Sequence, residues 1–421
     1  MESLSEEIQQ EVAESVQDIL EDYIENNALI FSKKNYLSLF TEHVSEYISD
    51  LAKTEGWYDE DIDDDFNDWI ESLCMETFEI YSIPLRENSP YNPFPTPSIE
   101  TTKNTLAIIN AQPVQKQRTI EWHTVRQTLF SASSIWKLFS TEAVYNSLIY
   151  EKCKGLDVHK TEIDVLVPSA RNWGIKYEPV TVMIYEHKHK TVVNTNYGCI
   201  PHPSLPIGAS PDGIVCDESS EKYGRLVEIK NIYNREIDGI PSEEYWIQMQ
   251  TQMEVCRLEI CDFVETRIKE FATEEEYIAD MEHEYKGIAL FFISREPGRF
   301  ESYFEYMPLD YITNEEQRKH WIDKTVQGKS DSHVLYQTSY WYLDQYSCTE
   351  VIRNDVWFSC AKPIIEKSWN TVLKERKEGY EHRAPQKKKI NGRSGSMDET
   401  ASATTIAEGV GPIRVIKLDL T

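Results

Sequence analysis

Asp212 sits between Pro211 and Gly213, and beyond a short polar stretch the triplet Glu228-Ile229-Lys230 closes an apolar run. Two carboxylates converging from neighbouring strands make an all-oxygen site suited to a hard divalent cation such as Mg²⁺. Lys230 lies two residues past Glu228 and projects from the same strand face, because strand side chains alternate. A metal and an ammonium at one strand end can cleave a phosphodiester. The ion polarises a phosphoryl oxygen and acidifies a water, and the lysine orients or deprotonates that water. The competing reading is a surface hairpin whose Asp-Gly turns the chain and whose Glu and Lys are solvated.

Other chemistry-bearing residues stand on either side, in order: Glu121-Trp122-His123-Thr124-Val125-Arg126 leading into Ser131-Ala132-Ser133-Ser134, then Trp173-Gly174-Ile175-Lys176-Tyr177-Glu178, then Tyr245-Trp246-Ile247-Gln248-Met249-Gln250. Pro179 restricts Glu178 and predicts a bend or restart of its helix there, which would aim one carboxylate inward. Gln248 and Gln250 are two apart, so on a helix they diverge. Only one, Gln248, can share the site with Tyr245.

This succession of EWxxxR, SAS, WGxxYE, SPDG, EIK and YxxQxQ resembles the phage λ exonuclease family. More broadly it is similar to the YqaJ-type viral recombinases of the PD-(D/E)XK nuclease superfamily, over about residues 117–261. The resemblance implies an α/β restriction-endonuclease-like core, a mixed central sheet flanked by helices. It implies that Asp212, Glu228 and the Ile229 carbonyl hold Mg²⁺, with Mn²⁺ as a substitute. Lys230 would be the catalytic lysine, with Glu178 and Gln248 at the edge of the catalytic site. Arg126, Ser131 and Ser133 match the segment that holds a terminal DNA phosphate, a task suited to arginine's planar fork. Ser133 would also use the N-terminus of a helix over residues 134–139. His202 stands where the phage enzyme has a further acidic residue, and is a metal ligand or idle. The hairpin around 218–225 is longer than in that family, as hairpin tips tolerate.

A net charge of −29 argues against a general nucleic-acid coat. Residues 1–90 hold 24 Asp/Glu against four Lys/Arg, so most of the excess lies there. An acidic nuclease can still bind DNA through a basic channel and metal-neutralised carboxylates. The eight cysteines form no CxxC pair, which gives no support for a zinc ribbon or a cysteine-bound iron–sulfur cluster. With no signal peptide and no membrane-length apolar run, the expectation is an intracellular protein with reduced thiols, inside an infected host cell if viral.

Helical spacing of Ile8, Val12, Val16, Leu20 and Ile24, and of Leu37, Phe40, Val44, Ile48 and Leu51, predicts an acidic helical module over 1–83. Six prolines make 84–113 a linker. The nuclease core runs over 114–310, with a buried strand at 287–293 and a return strand at 301–306. Residues 311–380, rich in Trp and Tyr, read as a helical extension, and 381–421 as a basic tail without fixed structure that ends in a strand-like 412–420. The function this implies is a deoxyribonuclease of the alkaline-exonuclease type, degrading duplex DNA 5′→3′ in viral recombination, repair or genome processing. Its further partners would be a single-strand annealing protein and copies of itself, and no membrane. An endonuclease of the same fold, structure-specific or not, and a non-catalytic DNA-binding or assembly protein are the competing readings.

Overall fold

The apolar spacing at the start of the chain becomes two amphipathic helices, α1 (Glu6–Asn27) and α2 (Tyr36–Glu55), which bury Val12, Val16, Leu20, Phe40, Val44 and Ile48. They belong to a computed structural model that describes residues 5–55, 64–80, 97–117, 119–156, 169–296 and 302–385. Helix α3 (Asp64–Ile80) closes a three-helix cluster through Phe66, Ile70, Cys74 and Phe78. Ser98 caps α4 (Ile99–Asn110) by accepting from the Thr101 N–H at 3.1 Å. That helix corrects the linker expectation for 99–110, since the prolines of 84–113 fall outside it and Leu106 and Ile109 are buried.

Next come α5 (Ile120–Gln127), β1 (Phe130–Ser131), the one-turn α6 (Ala132–Ile135) with a 3-10 turn over Trp136–Phe139, and α7 (Glu142–Lys154). Helix α8 (Ala170–His189) runs on through Pro179 without the expected restart. Short strands β2 (Val193–Asn194), β3 (Ile200–Pro201), β4 (Ile207–Ala209) and β5 (Gly213–Val215) lead to β6 (Leu226–Asn231), α9 (Glu243–Cys256) and β7 (Ile260–Glu270). After α10 (Glu274–Ala279) follow β8 (Lys286–Ser294), β9 (Ser302–Tyr306), α11 (Glu315–Lys329), β10 (His333–Ile352) and α12 (Asp355–Glu378).

The main sheet has the order β2-β5-β6-β7-β10-β8-β9. Within this sheet, among the described residues, β6 and β7 are the one parallel pair, as a crossover through α9 requires. A smaller sheet, β1-β4-β3, joins β1 to β4 in parallel with Ser131 opposite Gly208. One face of the main sheet carries Leu226, Cys261 and Phe263 against α9 and α12. The other carries Val227, Ile229 and Val264 against Tyr185 of α8. The fold is thus the expected mixed sheet flanked by helices, with helices added at the N-terminus.

Two expectations about organisation need correction. Residues 333–352, read as part of a helical extension, form the strand between β7 and β8. Their β-branched and aromatic residues alternate with period two (Val334, Tyr336, Thr338, Tyr340, Tyr342), a strand pattern that the Trp and Tyr content obscured. The chain to Ala384 forms one compact unit, so neither 1–83 nor 311–380 stands apart from the core. The cause is a 3-10 turn at Ala28–Ser32 that buries Phe31 in the cluster shared with α9 and α12. Lys33 pairs with Glu243 of α9 at 2.7 Å. The tail from 386, with its strand-like end, and the 297–301 turn lie outside the described residues.

Candidate active site

A strand that ends beside a helix start can present two side chains of one face to a buried cleft, and β6 does this with Glu228 and Lys230. Glu228 is fully buried. Its Oε1 accepts from Gln248 Nε2 at 2.7 Å and from the Lys230 ammonium, and its Oε2 accepts from Gln252 Nε2 at 2.7 Å. Two neutral amides one helical turn apart therefore grip the carboxylate without cancelling its charge. Gln248 thus faces Glu228. Gln250 points away, donating to the Ile352 carbonyl at 2.9 Å and accepting from the Asn354 N–H at 2.7 Å. Gln252 was missed, although its i+4 spacing from Gln248 was a readable signal.

Asp212 lies just before β5, whose pairing with β6 starts at Gly213 opposite Val227. A Cβ at Gly213 would come within 2.3 Å of Val193 Cγ1, so the Asp-Gly step lets β2 close over this corner. Asp212 Oδ2 accepts the Ile229 N–H at 2.8 Å. In an extended strand the N–H and C=O of one residue point to the same side, so the Ile229 carbonyl lies on the edge that Asp212 occupies. Burial first, then the charges of Glu228 and Glu178, push the Asp212 carboxyl well above the usual carboxylate range, against the pull of Lys230. Glu178 is thereby near Asp212. Burial alone would depress Lys230, but Glu228 and Asp212 overrule it and hold the ammonium above the ordinary lysine range. Its Nζ also sits 4.6 Å from the Tyr245 ring centre.

The donor set fits a hard divalent ion. The buried Glu228 and the half-buried Asp212, with the charge of Glu178 also acting on Asp212, face one ammonium, an excess of negative charge that such an ion relieves. Among the described residues no three His, Cys, Asp or Glu side chains form a cage. The ion would take Asp212, Glu228 and the Ile229 carbonyl and complete its shell with water. His202 does not take part: its Nδ1 accepts from the Ser204 and Leu205 N–H groups and its Nε2 faces Glu254 at 3.4 Å. The long hairpin is anchored rather than loose. Lys222 and Arg225 bind the buried Asp262 at 2.6 and 3.0 Å, and Asp262 also accepts from Tyr185.

Arg126 stacks over Trp122, 4.2 Å from the ring centre, and its Nη2 donates to Ser133 Oγ at 3.0 Å. Trp122 Nε1 donates to Ser210 Oγ at 3.2 Å, tying α5 to the SPDG loop. Ser133 is exposed, whereas Ser131 is buried, its Oγ 2.9 Å from that of Ser134. Helix α6 is one turn long, too short for the N-terminal contribution expected at Ser133. Behind Arg126, the buried Lys152 donates to the Arg126 carbonyl at 2.7 Å, and Arg376 donates to the Gln127 and Lys152 carbonyls at 2.9 and 2.8 Å. Neither cation was singled out in sequence, because only tertiary packing brings them to these helix ends.

Residues 121–259 match the YqaJ-like viral recombinase domain. The YqaJ-like segment thus spans every motif from Glu121 to Gln252 and meets the resemblance drawn from the sequence. An uncharacterised protein of Acanthamoeba polyphaga mimivirus is 27% identical over 307 residues, 64% of this chain and 54% of that protein. The chain spans about half the length of this viral relative. The crystal structure of an alkaline exonuclease (LHK-Exo) from Laribacter hongkongensis is 22% identical, covering 63% of this chain and 95% of that one with a TM-score of 0.36. A structure of LHK-Exo in complex with dAMP has the same identity and coverage and a TM-score of 0.35. Among the described residues no helix is long and apolar enough to cross a membrane.

Proposed function

We propose that the chain is a Mg²⁺-dependent deoxyribonuclease that degrades duplex DNA 5′→3′ from its ends, in recombination, repair or genome processing. Mn²⁺ would substitute for Mg²⁺. The observation that carries this reading is the grouping of a buried Glu228 with half-buried Asp212 and Lys230 around β6, with Glu228 held by Gln248 and Gln252. The ion, when bound, supplies a polarised phosphoryl oxygen and an acidified water. Lys230 donates hydrogen bonds towards the attacking oxygen and steadies the charge that builds on the phosphate. That oxygen bonds to phosphorus and releases its proton to solvent as the bond to the departing sugar oxygen breaks, and the departing oxygen takes up a proton from a solvent water, so that one water is consumed. Glu178 would add a carboxylate at the edge, able to accept a hydrogen bond from water there. Arg126 and Ser133 hold a terminal phosphate, with Ser131 bracing the serines from below. Degrading one strand leaves a single strand, which suits an annealing protein as partner, and self-assembly would keep the enzyme on its track.

The test is digestion of linear duplex carrying 5′-phosphate ends beside covalently closed circular DNA, in Mg²⁺ and in EDTA. Loss of the linear substrate alone, stopped by EDTA, is the expected result. Cutting of the circle would point to an endonuclease, and no cutting of either would remove the enzymatic reading.

A further inference from the structure

In the parallel pair β6/β7, Lys230 stands opposite Glu265 and Glu228 opposite Phe263. Strands so paired are about 4.8 Å apart, and residues in register share a face. The opposite parity, Ile229 with Val264, packs on the other side. Glu265 therefore lies on the face of the catalytic grouping, and it is fully buried. Its Oε1 accepts from Arg235, while Oε2 is buried with no hydrogen-bond partner among the described residues. A buried carboxylate oxygen left without a donor is costly and rare in native proteins. The cation that faces it in register is Lys230, which is committed to Glu228.

That commitment conflicts with metal binding. A divalent ion on Glu228 needs the lone pairs that the ammonium and the two amides now share, and it repels the ammonium. We propose that Glu265 is the second acceptor for Lys230: when a divalent cation takes Glu228, the ammonium crosses the strand pair to Glu265 Oε2. The Tyr245 ring centre lies 4.6 Å from Nζ and 5.8 Å from the guanidinium of Arg235, the partner of Glu265, and so offers a cation–π surface to both. Lys230 then remains beside the scissile phosphate as a donor rather than being driven into solvent. Glu265 is in these terms a positioning residue, acting through the lysine. The proposal rests on the metal-site reading above.

Ca²⁺ titrated by calorimetry into the full-length protein tests both, with melting in EDTA to check each variant's fold. Wild type should bind and Asp212→Asn should bind more weakly. No binding by wild type would overturn the metal site itself, and the relay with it. Glu265→Gln should weaken Ca²⁺ about tenfold, the scale of one hydrogen bond to a charged group. In a Lys230→Met background the same change should do nothing beyond about twofold, since the cation to be received is gone. Equal weakening in both backgrounds would mean that Glu265 acts as a distant charge, and no weakening in wild type would mean that it does not act; either sinks the relay. Arg235→Met removes the partner of Oε1 but leaves the acceptor, so it should not weaken Ca²⁺; weakening equal to that of Glu265→Gln would assign the effect to the Arg235 pair instead. Should Glu265→Gln not fold, the wild type still decides. A crystal structure with Ca²⁺ bound should show Nζ on Glu265, and Nζ still on Glu228 refutes the proposal.

Discussion

Removing the Arg126 guanidinium is expected to slow digestion of 5′-phosphorylated duplex by about ten- to a hundred-fold. Among the described residues no carboxylate lies within ion-pair distance of Arg126, so its charge is not spent inside the protein. Trp122 holds the guanidinium plane from one side and Ser133 takes one Nη2 hydrogen, which leaves the rest of the fork set for a ligand. A hydrogen bond to a charged group is worth about 1.5–3 kcal/mol, and each 1.4 kcal/mol is about a tenfold change. Arg126→Ala should therefore lose about one to two decades in kcat/KM on 5′-phosphate ends and far less on 5′-hydroxyl ends. Arg126→Lys keeps the charge but not the planar fork or its stacking, and should recover only part of the loss. The assay is initial-rate digestion of two end-labelled duplexes that differ only in the 5′ group. Equal losses on both ends would show a general backbone contact, and wild-type rates on both would remove Arg126 from end recognition.

Lys230→Ala should cost about 10²–10⁴ in turnover while leaving DNA binding in Ca²⁺ intact, measured by single-turnover cleavage beside a filter-binding assay; more than a tenth of wild-type turnover would refute its role. Gln252→Leu leaves Glu228 Oε2 buried without its donor, so it should destabilise the fold by about 1–3 kcal/mol, read from chemical denaturation in EDTA. Burial, reinforced by Arg126 and Arg376 and opposed by Glu151, lowers Lys152 to about 8. Between that value and the ordinary lysine range the unfolded chain binds more protons, so stability should rise with pH across that window, by at most about 3 kcal/mol at 1.36 kcal/mol per unit; denaturation curves of Lys152→Met should lack the rise. Deleting residues 1–83 uncovers the surface under Phe31 and removes the Lys33–Glu243 pair. A thermal melt should show a lower Tm than the full chain, and an unchanged Tm would restore the separable-module reading.

The parts of the site that were legible in sequence are those set by local periodicity. Period two put Glu228 and Lys230 on one strand face, and the divergence of Gln248 from Gln250 on a helix singled out Gln248, the one of the two that reaches Glu228. Both are short-range consequences of backbone geometry. Gln252 was equally local and was overlooked. Lys152, Arg376 and Glu265 reach the site only through tertiary pairing, and nothing in their immediate sequence marks them. In the fold, α1, α2, α9, β8 and β9 followed from pattern. β10 did not, because the Tyr and Trp content that reads as a helical extension over 311–380 masks the period-two spacing of 334–342. The turn at Ala28–Ser32 shows the same limit, since no linear signal says that Phe31 inserts between elements more than two hundred residues away.

β10 also governs the order in which the protein can be made. It joins β7 and β8: its first half, to Tyr342, pairs with β8 and its second half, from Trp341, pairs with β7. During synthesis those two strands emerge first, and each must wait for residues 333–352 before its inner edge is filled. Such open edges are templates for pairing with other chains, and long-range strand insertion is slow. A nascent chain stopped before His333 thus carries two buried-type strands with nothing between them. A chain shortened at that point is expected to aggregate rather than yield a smaller soluble protein, even though every residue from Asp212 to Gln252 would already be present.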